Sequence, residues 1–468
     1  MNLRIFTSFI SAYFIAIACV NCSAADVAKK PNVLFIAVDD LNDWIGCLGG
    51  HPQARTPNMD ALAARGVNFA KAYCASPVCN PSRSALMSGL RSSTSGVYNN
   101  GINRRTTICN DVIPLNSHFQ KNGYFVAGAG KIYHGDSDQF GLWDDYAKAG
   151  KHAGDYPPGK GENGGVGGIR FAPIDEADED THDYGTVTYC IDQLNKKHDK
   201  PFFLACGLHK PHMAWNVPRK YYDLFPLDSI QLPEVLENDL QDVPPSGIKM
   251  AKPDGDHADM LKSGHWKEAV RGYLAAGAYC DAMVGRLMEA FDKSPNRENT
   301  IIVFWGDHGW HLGEKQHWRK FTLWEEATRA PLFYYVPGIT KPNSVSQRTV
   351  DFMCIYPTLC ELCGLERPKH VEGESVVALL KNPSAPWDHA ALTTHEFKNH
   401  GIRTEKWRYI RYENGDEELY DEVNDPKEWK NLANDPSFAN VKAELAKLLP
   451  KTNVPTPASK KTAKKKAA

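Results

Sequence analysis

The sequence predicts an α/β protein: a large, mostly parallel mixed sheet covered by helices, followed by a smaller C-terminal antiparallel-sheet subdomain. Three observations carry this prediction. Strand-like apolar runs recur, each ending in polar residues: Val33 to Val38 before Asp39-Asp40, Tyr124 to Gly128 before Lys131 and His134, Phe202 to Cys206 before His209 and His212, and Ile301 to Trp305 before Asp307-His308. Between them lie helical patterns, with Val187, Ile191 and Leu194 on one face and Val284, Leu287, Met288 and Phe291 at i, i+3, i+4 and i+7. Near the end the pattern changes to a hairpin, Trp407 to Tyr412 and Glu418 to Tyr420 about an Asn414-Gly415 turn. Alternating strands and helices build parallel sheets buried on both faces, whose ligands bind beyond the carboxyl ends of the strands. The polar residues above would gather there.

At the N-terminus, Arg4 precedes an apolar run from Ile5 to Val20, followed by the small residues Cys22-Ser23-Ala24. This is the pattern of a signal peptide over 1–24, cleaved after Ala24, and it predicts a secreted or periplasmic protein. Cys19 after Ala18 offers a lipoprotein anchor as the alternative. The run is shorter than the roughly 20 residues of a membrane span, so no transmembrane segment is expected in the mature chain. A catalytic domain over 25–368 follows, then a C-terminal subdomain of antiparallel sheet plus helix over 369–451. A basic tail over 452–468 closes the chain, with five lysines in its last nine residues.

With 54 basic and 56 acidic residues the net charge is −2, which argues against nucleic acid as a partner. The chain is 42% hydrophobic and carries 11 Trp, 19 Tyr and 19 Phe, enough for a large core. The chain has 12 cysteines; of the ten beyond Cys19 and Cys22 only Cys360 and Cys363 have a C-x-x-C spacing, without a second pair at zinc-site spacing, so they read as helical wall or a simple disulfide. The segments Asp144 to Asp180 and Asn238 to Gly264 lack periodicity and read as long surface loops.

Asp39-Asp40 places two carboxylates at a strand end, where they either start a turn or need a cation between them. Asp307-His308-Gly309 repeats the arrangement, and the two together would complete a cage, although a hard cation prefers oxygen to imidazole. Cys79-Asn80-Pro81-Ser82-Arg83 runs into a short helix stopped by Gly89, which puts Cys79 near a helix N-terminus. Backbone N–H groups there favour an anion, and Arg83 adds a planar charged fork. A buried cysteine before a proline-initiated helix is the alternative. Gly128-Ala129-Gly130-Lys131 is not a nucleotide phosphate loop, because Phe125 stands where glycine is needed and Ile132 replaces Ser or Thr. His395 and His400, with Arg403, lie before the hairpin; they would reach over the cleft to a ligand or form an exposed structural face.

Cys-x-Pro-Ser-Arg followed by Leu86-Met87-Ser88-Gly89 resembles the signature of type I sulfatases, in which a maturation enzyme oxidises the Cys to formylglycine. The resemblance extends to Pro31-Asn32-Val33-Leu34, Thr56-Pro57-Asn58-Met59-Asp60, Gly130-Lys131, Phe304 to Gly309, and Glu418-Leu419-Tyr420-Asp421 with Asn424-Asp425-Pro426. Lys131-Ile132-Tyr133-His134, His209-Lys210-Pro211-His212 and Asp307-His308 resemble the iduronate-2-sulfatase-like branch. The resemblance implies an alkaline-phosphatase-like sandwich, a formylglycine at Cys79 and a Ca²⁺ held by Asp39, Asp40, Cys79, Asp307 and His308. It further implies that one hydroxyl of the hydrated formylglycine attacks sulfur and the other expels sulfate by elimination. In that scheme Arg83 holds the diol oxygen, Lys131 and Lys320 clamp sulfate, His134 manages the diol proton and His212 protonates the leaving oxygen. His209, His400 and Arg403 would bind substrate, a sulfated carbohydrate by branch resemblance. A formylglycine-dependent phosphonate monoester or phosphodiester hydrolase and a non-catalytic carbohydrate-binding relative are the alternatives.

Overall fold

The apolar runs fold as strands. The computed structural model describes residues 30–135, 142–147 and 165–456. The signal peptide expected over 1–24 and the tail from residue 457 lie outside the described residues, as does part of the first expected loop. Along the chain the strands are β1 (Asn32–Val38), β2 (Val67–Tyr73), β3 (Phe125–Gly130), β4 (Asp145–Ala147), β5 (Gly165–Val166), β6 (Ile169–Ile174), β7 (Phe202–Leu208), β8 (Trp215–Pro218) and β9 (Thr300–Gly306). They continue with β10 (His311–Leu312), β11 (Trp318–Arg319), β12 (Leu332–Tyr335), β13 (Ser344–Asp351), β14 (Ala391–Thr394), β15 (His400–Arg403), β16 (Trp407–Arg411) and β17 (Glu417–Asp421).

Eight strands form one sheet in the order β13-β2-β12-β9-β1-β7-β3-β4. All its pairings are parallel except those of β12, which runs against both β2 and β9. This is the large mixed sheet of an alkaline-phosphatase-like α/β fold. Val33 to Val38 alternate between two apolar clusters: Leu34, Ile36 and Val38 face the long helix Trp266–Lys293, while Val33, Phe35 and Ala37 face the other layer. A strand buried on both faces reads as a continuous apolar run, which is why β1 is NVLFIAV. The face of Val284, Leu287, Met288 and Phe291 is buried as expected, and so are Val187 and Leu194 of helix His182–Asn195.

Register positions the site. Val38 lies level with Leu208 of β7 and Gly306 of β9, and Gly130 of β3 lies level with Gly207. Asp39, His209, Asp307 and Lys131 therefore leave four adjacent strands on one edge. Gly130 has φ 76°, and a Cβ on it would strike the Gly207 carbonyl, while a Cβ on Gly207 would strike the Lys131 backbone. Two glycines are what lets these strand ends close.

The C-terminal sheet β14-β15-β16-β17 is antiparallel throughout, with the Asn414-Gly415 turn joining its last two strands. Two expectations are corrected. Within Asp144 to Asp180 the structure has strands β4, β5 and β6, and Asn238 to Gly264 carries the helices Pro245–Ala251 and Asp256–Ser263. These short elements show little periodicity because they are held by polar ties such as Asp256 to Arg319. None of the ten cysteines among the described residues is in a disulfide, and Cys360 and Cys363 line an apolar cluster, so the disulfide reading of that pair falls. No helix among the described residues is long and apolar enough to cross a membrane.

Candidate active site

Cys79 is the first residue of helix Cys79–Ser88, whose C-cap is Gly89 at φ 73°. Its Sγ lies 2.8 Å from Lys320 Nζ, 3.3 Å from His308 Nε2 and 3.7 Å from Asp40 Oδ1. Burial and Asp39 push the thiol well above its ordinary pKa. Unmodified, it is a protonated and weak nucleophile.

Around it stand the residues of the strand ends. Arg83 is fully buried, and donates to Asp307 Oδ2 at 2.8 Å, to Asp39 Oδ1 at 3.2 Å and to the Lys131 and Ile132 carbonyls. It thus spans two carboxylates that would otherwise repel. Lys131 Nζ pairs with Asp39 Oδ2, and Lys320 Nζ donates to Asp40 Oδ1 at 2.6 Å. Burial opposes the Asp39 carboxylate, but Lys131, His212 and Arg83 hold it well below the ordinary carboxylate range. Asp307 moves the other way, pushed up by burial. Burial also opposes the Lys320 charge, and Asp40 overcomes it.

Asp39, Cys79, Asp307 and His308 bring ligand atoms within 4.8 Å of one another, and so do Asp39, Asp40, Cys79 and His212. Asp40 Oδ2 is buried without a hydrogen-bond partner. His308 Nδ1 lies 3.0 Å from the Gly309 carbonyl, which only accepts, so the proton sits on Nδ1 and Nε2 presents a lone pair. Carboxylate oxygens with one imidazole nitrogen fit a divalent cation.

His212 Nε2 is 3.9 Å from Asp39 Oδ2 and 3.8 Å from Asp40 Oδ2, and the His209 ring packs 4.8 Å from the His212 ring. Burial lowers His212 to about 4, and burial with Lys131 lowers His134 to about 4. Burial and His212 lower His209 as well.

The structure corrects the C-terminal expectation. His400 is buried, with Nδ1 3.0 Å from Thr394 Oγ1 and Nε2 2.9 Å from Asn453 Oδ1. Arg403 is buried between Glu325 at 3.3 Å and Glu422 at 3.2 Å. Both are buried against partners of the C-terminal sheet and its packing, so neither forms an exposed face. The alternation of β15 gave no sign of this, because both of its faces are covered.

Several supporting residues escaped sequence reading. Asp183 accepts the His209 and Lys210 N–H groups at 2.8 and 2.9 Å, and Lys210 Nζ reaches the His212 carbonyl at 3.3 Å and the Ala214 carbonyl, fixing the turn. Ser82 Oγ donates to the Asp307 carbonyl at 2.6 Å. Trp310 lies under Lys320 Nζ at 5.4 Å. Lys315, buried, is tied to Asp239 at 2.7 Å and to the Glu428 carbonyl, 5.0 Å from the Tyr420 ring centre. Ser82 belongs to the Cys-x-Pro-Ser-Arg motif without a role of its own being read, and Trp310 stands next to Gly309, which was the available signal; Asp183 and Asp239 had none.

A cluster of carboxylates, lysines and histidines able to hold a metal stands at the carboxyl edge of this sheet, in a protein of the alkaline-phosphatase-like α/β fold. The chain matches the sulfatase family model over residues 31–365 and the model of the N-sulphoglucosamine sulphohydrolase C-terminal region over 313–454. It belongs to the sulfatase family and is a sulfuric ester hydrolase. It is 40% identical to a sulfatase of Formosa agariphila over 91% of this chain and 87% of that protein. It is 30% identical to human iduronate 2-sulfatase over 72% of this chain and 70% of that protein. Among solved structures it shares the fold of BT4656 bound to its substrate D-glucosamine-2-N,6-O-disulfate, with TM-score 0.72 and 22% identity over 90% of this chain and 97% of that one. The phosphonate monoester hydrolase of Agrobacterium radiobacter shares it too, with TM-score 0.76 and 22% identity over 89% and 94%.

Proposed function

We propose that this chain is an exported sulfatase acting on sulfated carbohydrates, with a formylglycine made from Cys79 by a maturation enzyme and a bound Ca²⁺. The observation that carries the reading is the seat of Cys79: a buried helix N-terminus with Lys320 at 2.8 Å and His308 at 3.3 Å, in a setting where the thiol itself is inert. Iduronate 2-sulfatases among its relatives and a glucosamine disulfate complex among its fold neighbours support a sugar substrate. The 1–24 leader supports export.

The residues present fit the two absent groups. Asp39, Asp40, Asp307, His308 and position 79 would hold Ca²⁺; the ion supplies charge neutralisation, and the hydrated formylglycine supplies a hydroxyl nucleophile. Lys131 and Lys320 bind sulfate oxygens and hold charge that grows as the S–O bond breaks. Arg83 keeps Asp39 and Asp307 at fixed separation. His134 moves the proton of the oxygen at position 79, and His212 gives a proton to the leaving alcohol oxygen. His209 backs His212 as a wall of the site. The catalytic domain is assigned to 25–368 and the C-terminal subdomain to 369–451.

Hydrolysis of sulfate and phosphate esters of one alcohol by matured protein tests this reading. Preference for the sulfate ester is expected, with an aldehyde in place of the thiol at position 79 by peptide mass spectrometry. Activity in protein carrying only unmodified Cys79 would overturn the nucleophile assignment, and preference for the phosphate or phosphonate ester would overturn the substrate class.

A further inference from the structure

Lys320 reaches Cys79 from an unusual stretch of backbone. Lys315, Gln316, Arg319 and Phe321 have φ values of 54, 50, 78 and 81°. Residues with a Cβ populate that region rarely, so the segment has to be held from outside. Arg319 is tied to Asp256 at 2.6 and 3.1 Å, and the Phe321 N–H donates to the Pro77 carbonyl at 3.2 Å. Lys315 is tied to Asp239 at 2.7 Å and to the Glu428 carbonyl, and Gln316 Nε2 donates to the Glu237 carbonyl at 2.7 Å; His317 adds the hold nearest Lys320.

His317 is buried, with Nδ1 2.6 Å from the Ala251 carbonyl oxygen and Nε2 2.7 Å from the Lys320 carbonyl oxygen. A carbonyl only accepts, and a neutral imidazole has one N–H and one lone pair. The neutral ring satisfies one oxygen and sets a lone pair against the other. Both contacts are as short as charge-assisted bonds, and the imidazolium satisfies both.

We infer that His317 is a proton-operated clamp on Lys320: as imidazolium it grips both carbonyls and fixes the catalytic lysine, and as a neutral ring it releases one. The inference deepens the proposed function, because it rests on Lys320 as a sulfate-binding group. The titratable and charged groups facing the ring are Lys252, Asp256 and His257 from the two short helices and their junction. His311 and, through its carbonyl, Lys320 face it from its own segment, and His395 from the end of the first strand of the C-terminal sheet. Burial lowers the His317 pKa below the ordinary 6.5, against the opposing pull of the two carbonyls and Asp256. The clamp is closed on the acid side and loosens as pH rises through that value.

Neutron diffraction on the matured, Ca²⁺-loaded enzyme at pD 4.5 and pD 8 counts the ring deuterons: two at the lower pD and one at the higher are expected, and the same count at both overturns the clamp. That count does not depend on what Lys320 binds, so failure of the clamp and failure of the sulfate assignment are read separately. On 4-nitrophenyl sulfate, whose leaving group needs no proton, wild-type kcat/KM should fall by up to about tenfold to a lower plateau across this range. His317→Gln should stay on the lower plateau throughout; a fall with unchanged midpoint and size in the variant overturns the inference.

Discussion

Tyr273, on the long helix behind the sheet, donates its hydroxyl to the Asp40 carbonyl at 2.8 Å and accepts the Asn42 N–H at 3.0 Å. Asp40 has φ 57°, a conformation that aims its carboxylate at Cys79 and Lys320 and that this hydroxyl sustains. Tyr273→Phe leaves both buried backbone groups unpaired and should cost about 1–3 kcal/mol of stability. Thermal unfolding should show the loss. Ca²⁺ titration should show weaker binding, since Asp40 is no longer held; unchanged affinity would mean that the strained turn persists without its tie.

Chelation should lower both activity and melting temperature. Asp39, Asp40 and Asp307 lose the cation that offsets their repulsion, and a ligand bound only by the folded state stabilises that state. Added Ca²⁺ should restore both, followed by calorimetry and turnover on one sample. Better restoration by a softer ion would trace to the imidazole of His308.

The leaving group separates His212 from Lys131. A sugar alkoxide needs a proton as it departs and a nitrophenolate does not, so His212→Ala should cost about 10²–10⁴-fold on a sulfated sugar and far less on an aryl sulfate. Lys131→Ala should damage both reactions alike. His212 donates only when protonated, and its value of about 4 means the protonated fraction falls as pH rises. The sugar reaction should therefore gain on the aryl reaction toward acid pH in wild type and not in the variant. Equal losses on both substrates would pass the acid role to His209.

Acid stability has a separate origin in Glu325. Burial opposes its charge, but Arg403 and Arg408 lower its pKa to about 2 from an ordinary 4.5. A depressed carboxylate contributes fully above 4.5, and that contribution is lost as pH falls toward 2. Glu325→Gln should be less stable than wild type at neutral pH and flatter between pH 4.5 and pH 2 in thermal melts. Parallel curves for the two proteins would remove Glu325 as the source.

What was legible in the sequence was whatever is local along the chain. Asp39-Asp40, Asp307-His308 and the Cys79 motif each sit at a strand end or helix start that apolar periodicity marks, so their convergence followed from the strand order of an α/β sheet. Tyr273 acts on backbone groups 231 and 233 residues away, Asp183 on the backbone N–H groups 26 and 27 residues on, and His317 on backbone carbonyls, and none of these leaves a pattern in composition. His400 and Arg403 were misread for the opposite reason. The segment before the hairpin is itself a strand, and Glu325 and Glu422 give Arg403 a buried partner on each side in place of an exposed face. The helices Pro245–Ala251 and Asp256–Ser263 went unseen because their few buried positions, such as Ala251 and Met260, are too sparse to set a period.

The tie from Lys315 to the Glu428 carbonyl makes the catalytic loop depend on residues a hundred positions downstream. Every residue assigned to chemistry precedes Phe321, so a gene interrupted after that codon would still encode a complete catalytic inventory. Its product would lack one of the ties on the segment that carries Lys320. A motif search confined to the first 320 residues would count such a gene as intact although it had lost that tie.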